Sequence, residues 1–151
     1  VQFLDPAGSL LLAHHPQGLE VHVHAAAHLH DTAHVHRFSD VLRPVCAAAP
    51  VLRAAHPDTP LIFLQTERRE TRNFSTKIEA FESEKQKAAE EMVRERMKTD
   101  KHIYFIDSEG FLGDEHIATT DGCHPTDLGF TYMLDVISPK ILKILKKYGI
   151  K

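Results

Sequence analysis

Apolar residues in the second half of the chain alternate between short continuous runs and helically spaced positions. The run Leu61–Leu64 is bounded by turn residues and predicts a buried strand of a parallel sheet. The run 102–107 is rich in β-branched and aromatic residues and predicts a second strand. Between them, apolar residues recur at helical spacing from about Lys77 to Lys98, with Ser75 or Thr76 as the N-cap. Strand, helix and strand in this order predict a right-handed parallel crossover.

The same pattern predicts which faces of the helices are buried. The apolar stripe of the long helix consists of Ile78, Phe81, Ala88, Met92 and Met97. A final helix starts at Asp127, and Pro139 should kink it before Gly149 follows its end. Its stripe consists of Phe130, Met133, Leu134, Ile137, Ile141, Ile144 and Leu145. Glu90 and Arg94 should form an ion pair on the solvent side of the long helix. Helices covering a parallel sheet give an α/β fold.

The composition changes near residue 50, which divides the chain into two segments. Residues 1–48 form a His/Ala/Pro-rich segment of doubtful fold, and residues 49–151 form the readable domain. Three His-x-His pairs occur in the first segment: His22, His24, His28, His30, His34 and His36. Strand periodicity would place all six on one face as a metal-binding surface, whereas helical periodicity would scatter them. Alternatively, the tract is translated out of frame or scrambled upstream of a genuine domain.

Charge and cysteine content exclude several functional classes. The net charge of −3 and the pI near 6.5 argue against a nucleic-acid or anionic-membrane partner and favour a small-molecule substrate. No apolar run approaches the roughly 18 residues of a membrane span, and no signal-peptide pattern opens the sequence. Cys46 and Cys123 form neither a disulfide framework nor a thiolate zinc site. No cofactor is predicted, and the oligomeric state is left open.

The loop before the final helix carries the candidate chemistry, because ligands of open α/β sheets bind at the carboxyl ends of the strands. Asp121 lies three residues before His124 in a turn. Its carboxylate can fold back onto the imidazole Nδ1, fix the tautomer and leave Nε2 to act as a general base. The spacing by itself also fits a surface Asp and a His near a helix N-terminus. Cys123 is not expected to be a nucleophile, since adjacent residues in a turn seldom point the same way.

A second polar loop follows the first predicted strand. It contains three arginines around two glutamates: Arg68, Arg69 and Arg72 around Glu67 and Glu70. These side chains could line the mouth of a substrate site. A solvated loop is the favoured interpretation.

The segment DGCHPTDLGF, residues 121–130, resembles the C-terminal block of SGNH (GDSL-like) serine hydrolases. The resemblance extends upstream through residues 51–64 and 111–114 and covers about two thirds of the chain. It implies a flavodoxin-like three-layer sandwich with a parallel sheet, incomplete here at its N-terminal side. It also implies carboxylic-ester hydrolysis, often removal of acetyl groups from carbohydrates, through a Ser-His-Asp triad. In that triad Asp121 would be the acid and His124 the base, and the parent protein would be secreted or periplasmic.

The sequence departs from this family pattern at the nucleophile. The Gly-Asp-Ser block is absent, as are the Gly and Asn of the blocks that donate hydrogen bonds to the oxyanion. Ser9 is the faint candidate, but no Asp precedes it and too little chain separates it from His124 to hold the missing strands. The chain is therefore expected to be inactive without a nucleophile. The alternative functions are a His-rich metal-binding module on a non-catalytic α/β scaffold and a remnant with no selected function.

Overall fold

The computed structural model describes residues 10–14, 20–25 and 49–150. They belong to two compact units: the residues up to Gln65 with Lys85–Phe105, and Thr66–Glu84 with the residues from Ile106 onwards. The strands are β1 (Leu10–His14), β2 (Glu20–Ala25), β3 (Leu61–Leu64) and β4 (Ile103–Ile106). The helices are α1 (described over residues 49–55), α2 (Thr76–Met97) and α3 (Asp127–Lys146), with a 3-10 helix at Glu70–Phe74.

The four described strands form one sheet in the order β1-β2-β3-β4. β2 and β3 are parallel with His22 opposite Leu61, whereas β1 is antiparallel to β2 with Leu10 opposite His24. The amide of Leu61 donates to the carbonyl of His102 at 2.8 Å, where β3 and β4 begin. The predicted α/β class is confirmed, although the sheet is mixed because of β1. β1 and β2 lie within residues 1–48, and the domain division at residue 48 stays a prediction.

The apolar core of the first unit forms around β3. It consists of Ala49, Leu61, Phe63, Val93 and Ile103, with Leu52, Met97 and Phe105 packed against them. Ile62, which lies between Leu61 and Phe63 in β3, is only 1% exposed. With no polar side chain in its four residues, β3 can be covered on both faces, as its continuous apolar run predicts.

Arg53 closes the turn that leads into β3. Its Nη1 donates to the carbonyls of His56, Pro57 and Thr59 at 2.7–3.0 Å, and its Nε donates to Asp100 at 2.8 Å. Burial opposes ionisation of Asp100, but its hydrogen bonds outweigh this and lower its pKa. One guanidinium thus joins the turn before β3 to the turn before β4.

Helix α2 has the predicted bounds but not the predicted buried face. The Ser75 hydroxyl accepts from the amide of Ile78 at 3.4 Å, in the manner of an N-cap. Ile78 itself is exposed, which the apolar pattern did not predict. The buried residues are Glu82, Lys85, Gln86 and Val93. Glu82 and Val93 each follow a predicted stripe residue by one position, which turns the buried face by about 100° around the helix, whereas Lys85 lies beside the predicted stripe.

Helix α3 also begins where predicted and buries a narrower face. The Thr126 side chain accepts from the amide of Gly129 at 3.2 Å and caps the helix. Of the predicted stripe only Ile137 and Ile144 are fully buried, and Phe130 and Leu134 are exposed. The helix continues through Pro139, and Gly149 follows its end with φ 74°. No helix among the described residues is long and apolar enough to cross a membrane.

Candidate active site

The loop before α3 closes on itself with backbone hydrogen bonds. The carbonyl of Ala118 accepts from both the amide and the hydroxyl of Thr126, at 2.9 and 3.1 Å. Further in, the amide of Thr120 donates to the carbonyl of His124 at 2.9 Å. These bonds form the base of a short antiparallel loop, which presents residues 121–124 at its tip.

Asp121 and His124 are joined within this tip. One carboxylate oxygen, Oδ1, accepts from the amides of Cys123 and His124 at 2.9 and 2.8 Å, and the other, Oδ2, lies 2.7 Å from Nδ1 of His124. A carboxylate can only accept, so Nδ1 carries the hydrogen and Nε2 is the basic nitrogen of the neutral ring. The hydrogen bonds from the His124 amide, the His124 ring and the Cys123 amide hold the pKa of Asp121 well below its ordinary value. The predicted carboxylate–imidazole contact is therefore present, with both side chains more than half exposed.

A distant segment fixes the tip of the loop. The amide of Thr71, in the 3-10 helix, donates to the carbonyl of Gly122 at 3.1 Å. The Thr119 hydroxyl donates to Oε2 of Glu70 and accepts from the amide of Gly122 at 3.1 Å. Gly122 has φ 80°, and a Cβ there would lie 2.7 Å from Cγ2 of Thr71, so glycine is required. Sequence reasoning missed the roles of Glu70 and Thr71 because about 50 residues separate them from the loop.

Gly129 permits the start of α3 to approach the loop base. A Cβ at this position would lie 2.2 Å from the carbonyl oxygen of Ala118, a distance at which the backbone would have to move. Ala118 is fully buried at this contact. The glycine of the sequence motif is therefore explained by close backbone packing, because its φ is not in the left-handed region.

The expectation of a solvated arginine-rich loop was wrong for Arg69 and Arg72, whereas Arg68 is exposed. Arg72 is only 7% exposed, and it donates to both carboxylate oxygens of Glu79 and to the Ser83 hydroxyl. Arg69 lies 3.8 Å from the buried Glu82. The bonds from Arg72 lower the pKa of Glu79 to about 2. Carboxylates on the first turns of α2 contact the guanidinium groups of Arg69 and Arg72, which explains why these two arginines are not left in solvent.

Two clefts lie beside the Asp121 loop, and they share Glu70, Asn73 and His116 as lining residues. The larger, of about 630 Å³, is also lined by Asp121 and Gly122. The smaller, of about 480 Å³, extends along residues 108–114 and the arginine-rich loop. Asp121 thus lies at the wall of a cleft with room for a small ligand.

The model of the GDSL-like lipase/acylhydrolase family matches residues 7–142. The chain belongs to this family. It is also similar to a solved structure from Bacteroides ovatus ATCC 8483 described as a GDSL-like lipase, with 46% identity and a TM-score of 0.61. The similarity covers 65% of this chain and 29% of that protein, so the chain spans about 29% of its length. The search of curated proteins found no match. The resemblance predicted from the sequence is confirmed.

No described residue at this site of the GDSL-like chain is assigned as a nucleophile. Ser9 lies outside the described residues. Cys123 is buried, and burial raises the pKa of its thiol, which keeps the weakly nucleophilic protonated form at neutral pH. The catalytic roles of Asp121 and His124 stay predictions, since the geometry gives their contact and not their activity.

The predicted metal-binding surface cannot be placed in this GDSL-like chain. His22 and His24 belong to β2, whose backbone is described, and the other four histidines of the three pairs lie outside the described residues. Within residues 10–14, 20–25 and 49–150, no group of three or more His, Cys, Asp or Glu side chains could hold a metal ion.

Proposed function

We propose that this chain supplies the acid and base of a carboxylic-ester hydrolase that acts through a serine acyl-enzyme. The observation that carries the proposal is the 2.7 Å contact between Oδ2 of Asp121 and Nδ1 of His124, in a chain of the GDSL-like family. Both side chains are more than half exposed, and Asp121 lines the larger cleft, which supports the same function. Family membership favours this function over the His-rich metal-binding module.

The proposed chemistry follows from the tautomer of His124. Nε2 accepts the proton of a serine hydroxyl as its oxygen attacks the ester carbonyl, and Asp121 stabilises the imidazolium that forms. His124 then returns the proton to the alcohol oxygen as the ester bond breaks. Water attacks the acyl-enzyme by the same two proton transfers, releasing the acid and the serine. We propose acyl or acetyl esters as substrates, including those of carbohydrates.

The experiment compares hydrolysis of p-nitrophenyl acetate by the unaltered chain and by His124→Ala. With a nucleophile in place, the substitution is expected to lower kcat/KM by about 10²- to 10⁴-fold, the usual contribution of a general base. Without one, as the missing Gly-Asp-Ser block predicts, both proteins stay at the buffer background. His56→Ala is the matched control, because His56 lines neither cleft. Equal rates for the unaltered chain and His124→Ala, whether fast or at the buffer background, would remove the claim that this chain is catalytic.

Asp121→Asn separates the role of Asp121 in holding the turn from the role of its carboxylate charge beside His124. The amide oxygen of asparagine can still accept from the amides of Cys123 and His124, so the turn should persist. Its NH₂ group would face Nδ1 and favour the opposite tautomer, which places the hydrogen on Nε2. We expect a fall in kcat comparable to that of His124→Ala with a nearly unchanged melting temperature. A kcat within twofold of the unaltered chain would show that Asp121 is only a turn residue.

A further inference from the structure

A second histidine–carboxylate pair lies at the junction of the two clefts. Nδ1 of His116 is 3.2 Å from Oε1 of Glu70, and Oε2 of Glu70 accepts from the Thr119 hydroxyl. Both carboxylate oxygens are thus engaged, and the Glu70 side chain is 11% exposed. His116 is 67% exposed, so the pair joins an anchored carboxylate to an accessible imidazole.

The backbone holds His116 in this position at an energetic cost. Its φ is 57°, and it is the non-glycine residue with positive φ in the described part of the chain. Such a conformation is unfavourable for a residue with a side chain and persists where the surroundings enforce it. The contact with Glu70 is one such constraint. With Nδ1 donating to the carboxylate, Nε2 of the neutral ring is an acceptor for a ligand donor.

The lining of the clefts indicates the chemical class of the ligand. The larger cleft is lined by the neutral polar side chains of Asn73, Thr119 and Thr120 and by the carboxylates of Glu70 and Asp121. The ring of Phe74, which also lines it, is 89% exposed. The two carboxylates disfavour an anionic ligand in the larger cleft. An open aromatic face with hydroxyl and amide groups fits a neutral, hydroxyl-bearing ring.

We infer that His116, oriented by Glu70, binds a hydroxyl group of a neutral polyhydroxylated part of the substrate, with Phe74 stacking on its ring. The inference rests on the proposed function, because it places this part of the substrate in the cleft that Asp121 lines. His116 is then a specificity residue that contacts substrate, and Glu70 is a positioning residue. Neither residue takes part in the proton transfers assigned to His124.

Binding is tested separately from turnover. The probe is cellotetraose, titrated into ¹⁵N-histidine-labelled chain, with the imidazole signals of His116 identified by their loss in His116→Ala. The His116 signals are expected to shift on titration, and His116→Ala is expected to bind about five- to tenfold more weakly, as for loss of one hydrogen bond. Glu70→Gln should weaken binding in the same direction, and His116→Gln, which retains an acceptor, should recover part of it. His56→Ala is the control for loss of a histidine elsewhere.

Two results would overturn the inference: no shift of His116 at saturating cellotetraose, or equal affinity of the unaltered chain and His116→Ala. Thermal melts of each variant distinguish lost binding from lost folding. In turnover, the ratio of kcat/KM for a mono-acetylated methyl glucoside to that for p-nitrophenyl acetate should fall in His116→Ala through a higher KM. If the chain hydrolyses neither ester, the claim that this chain is catalytic fails, while the titration still decides whether His116 binds the sugar.

Discussion

The apolar core around β3 and the polar network of residues 66–84 with the loop at 118–126 are built in opposite ways. The first buries aliphatic and aromatic side chains, whose hydrophobic stabilisation does not depend on the direction of a contact. The second buries Arg72 and Glu82 and fixes its loop with hydrogen bonds. An apolar core tolerates small changes of geometry, whereas a buried ionic network requires each partner in place. The contrast teaches that the candidate site lies in the region whose structure depends on hydrogen bonds and ion pairs.

The largest effect on the free energy of unfolding is expected in the apolar core around β3. Phe63→Ala should lower the free energy of unfolding by about 3–5 kcal/mol, because it removes a buried ring and leaves a cavity. Chemical denaturation measures the loss, with the exposed Val51→Ala as the control at about 0.5 kcal/mol or less. A loss at Phe63 no larger than that at Val51 would show that the core around β3 does not stabilise the chain.

A smaller effect is expected in the polar network, and its signature is pH dependence. The pKa of Glu79 is about 2 when folded, below its ordinary 4.5. Its bond to Arg72 therefore stabilises the folded state above pH 4.5, and this contribution is lost as pH falls toward 2. Arg72→Met should lower stability at neutral pH and flatten the fall in stability over that window.

Denaturation of the Arg72→Met variant at pH 7, 4.5, 3 and 2 tests this expectation, with Arg94→Met as the matched exposed arginine. An unchanged pH slope in Arg72→Met would mean that the Arg72–Glu79 bond adds nothing in solution. The phenylalanine variant should show no such change of slope. The two substitutions together therefore separate an apolar contribution from an ionic one.

The smallest effect is expected on the solvent face of α2. Nε of Arg94 lies 2.6 Å from Oε1 of Glu90, as the sequence spacing predicted. Glu90→Gln should cost about 0.3–0.5 kcal/mol, the usual value for an exposed i,i+4 pair, and less at high salt. A double-mutant cycle with Arg94→Met measures the coupling. A coupling well above this value would contradict the expectation that an exposed ion pair contributes little.

The sequence predicted those elements whose signals are local. The run of β3, the bounds of α2 and α3, and the turn joining Asp121 to His124 all depend on neighbouring residues. The buried faces of the helices were predicted less well. The buried face of α2 was assigned from hydrophobicity, whereas the charged residues Glu82 and Lys85 are among its buried residues.

Long-range polar partners were missed for a different reason. Glu70 contacts His116 and Thr119, 46 and 49 residues away, and no periodicity links them. The prediction of solvation was wrong for Arg69 and Arg72, because a run of charged residues in the sequence does not indicate which carboxylates will bind the arginines. The family motif, in contrast, combined a helix cap, a glycine and the Asp-His spacing in ten consecutive residues.

Thr126 and Gly129 both meet the carbonyl of Ala118, so residues 118 to 129 close the base of their own loop. Its tip, which carries the Asp121–His124 contact, is also anchored by Glu70 and Thr71 from outside the segment. The Asp-His geometry therefore depends on both segments, and a change at position 70 or 71 reaches it without touching either side chain.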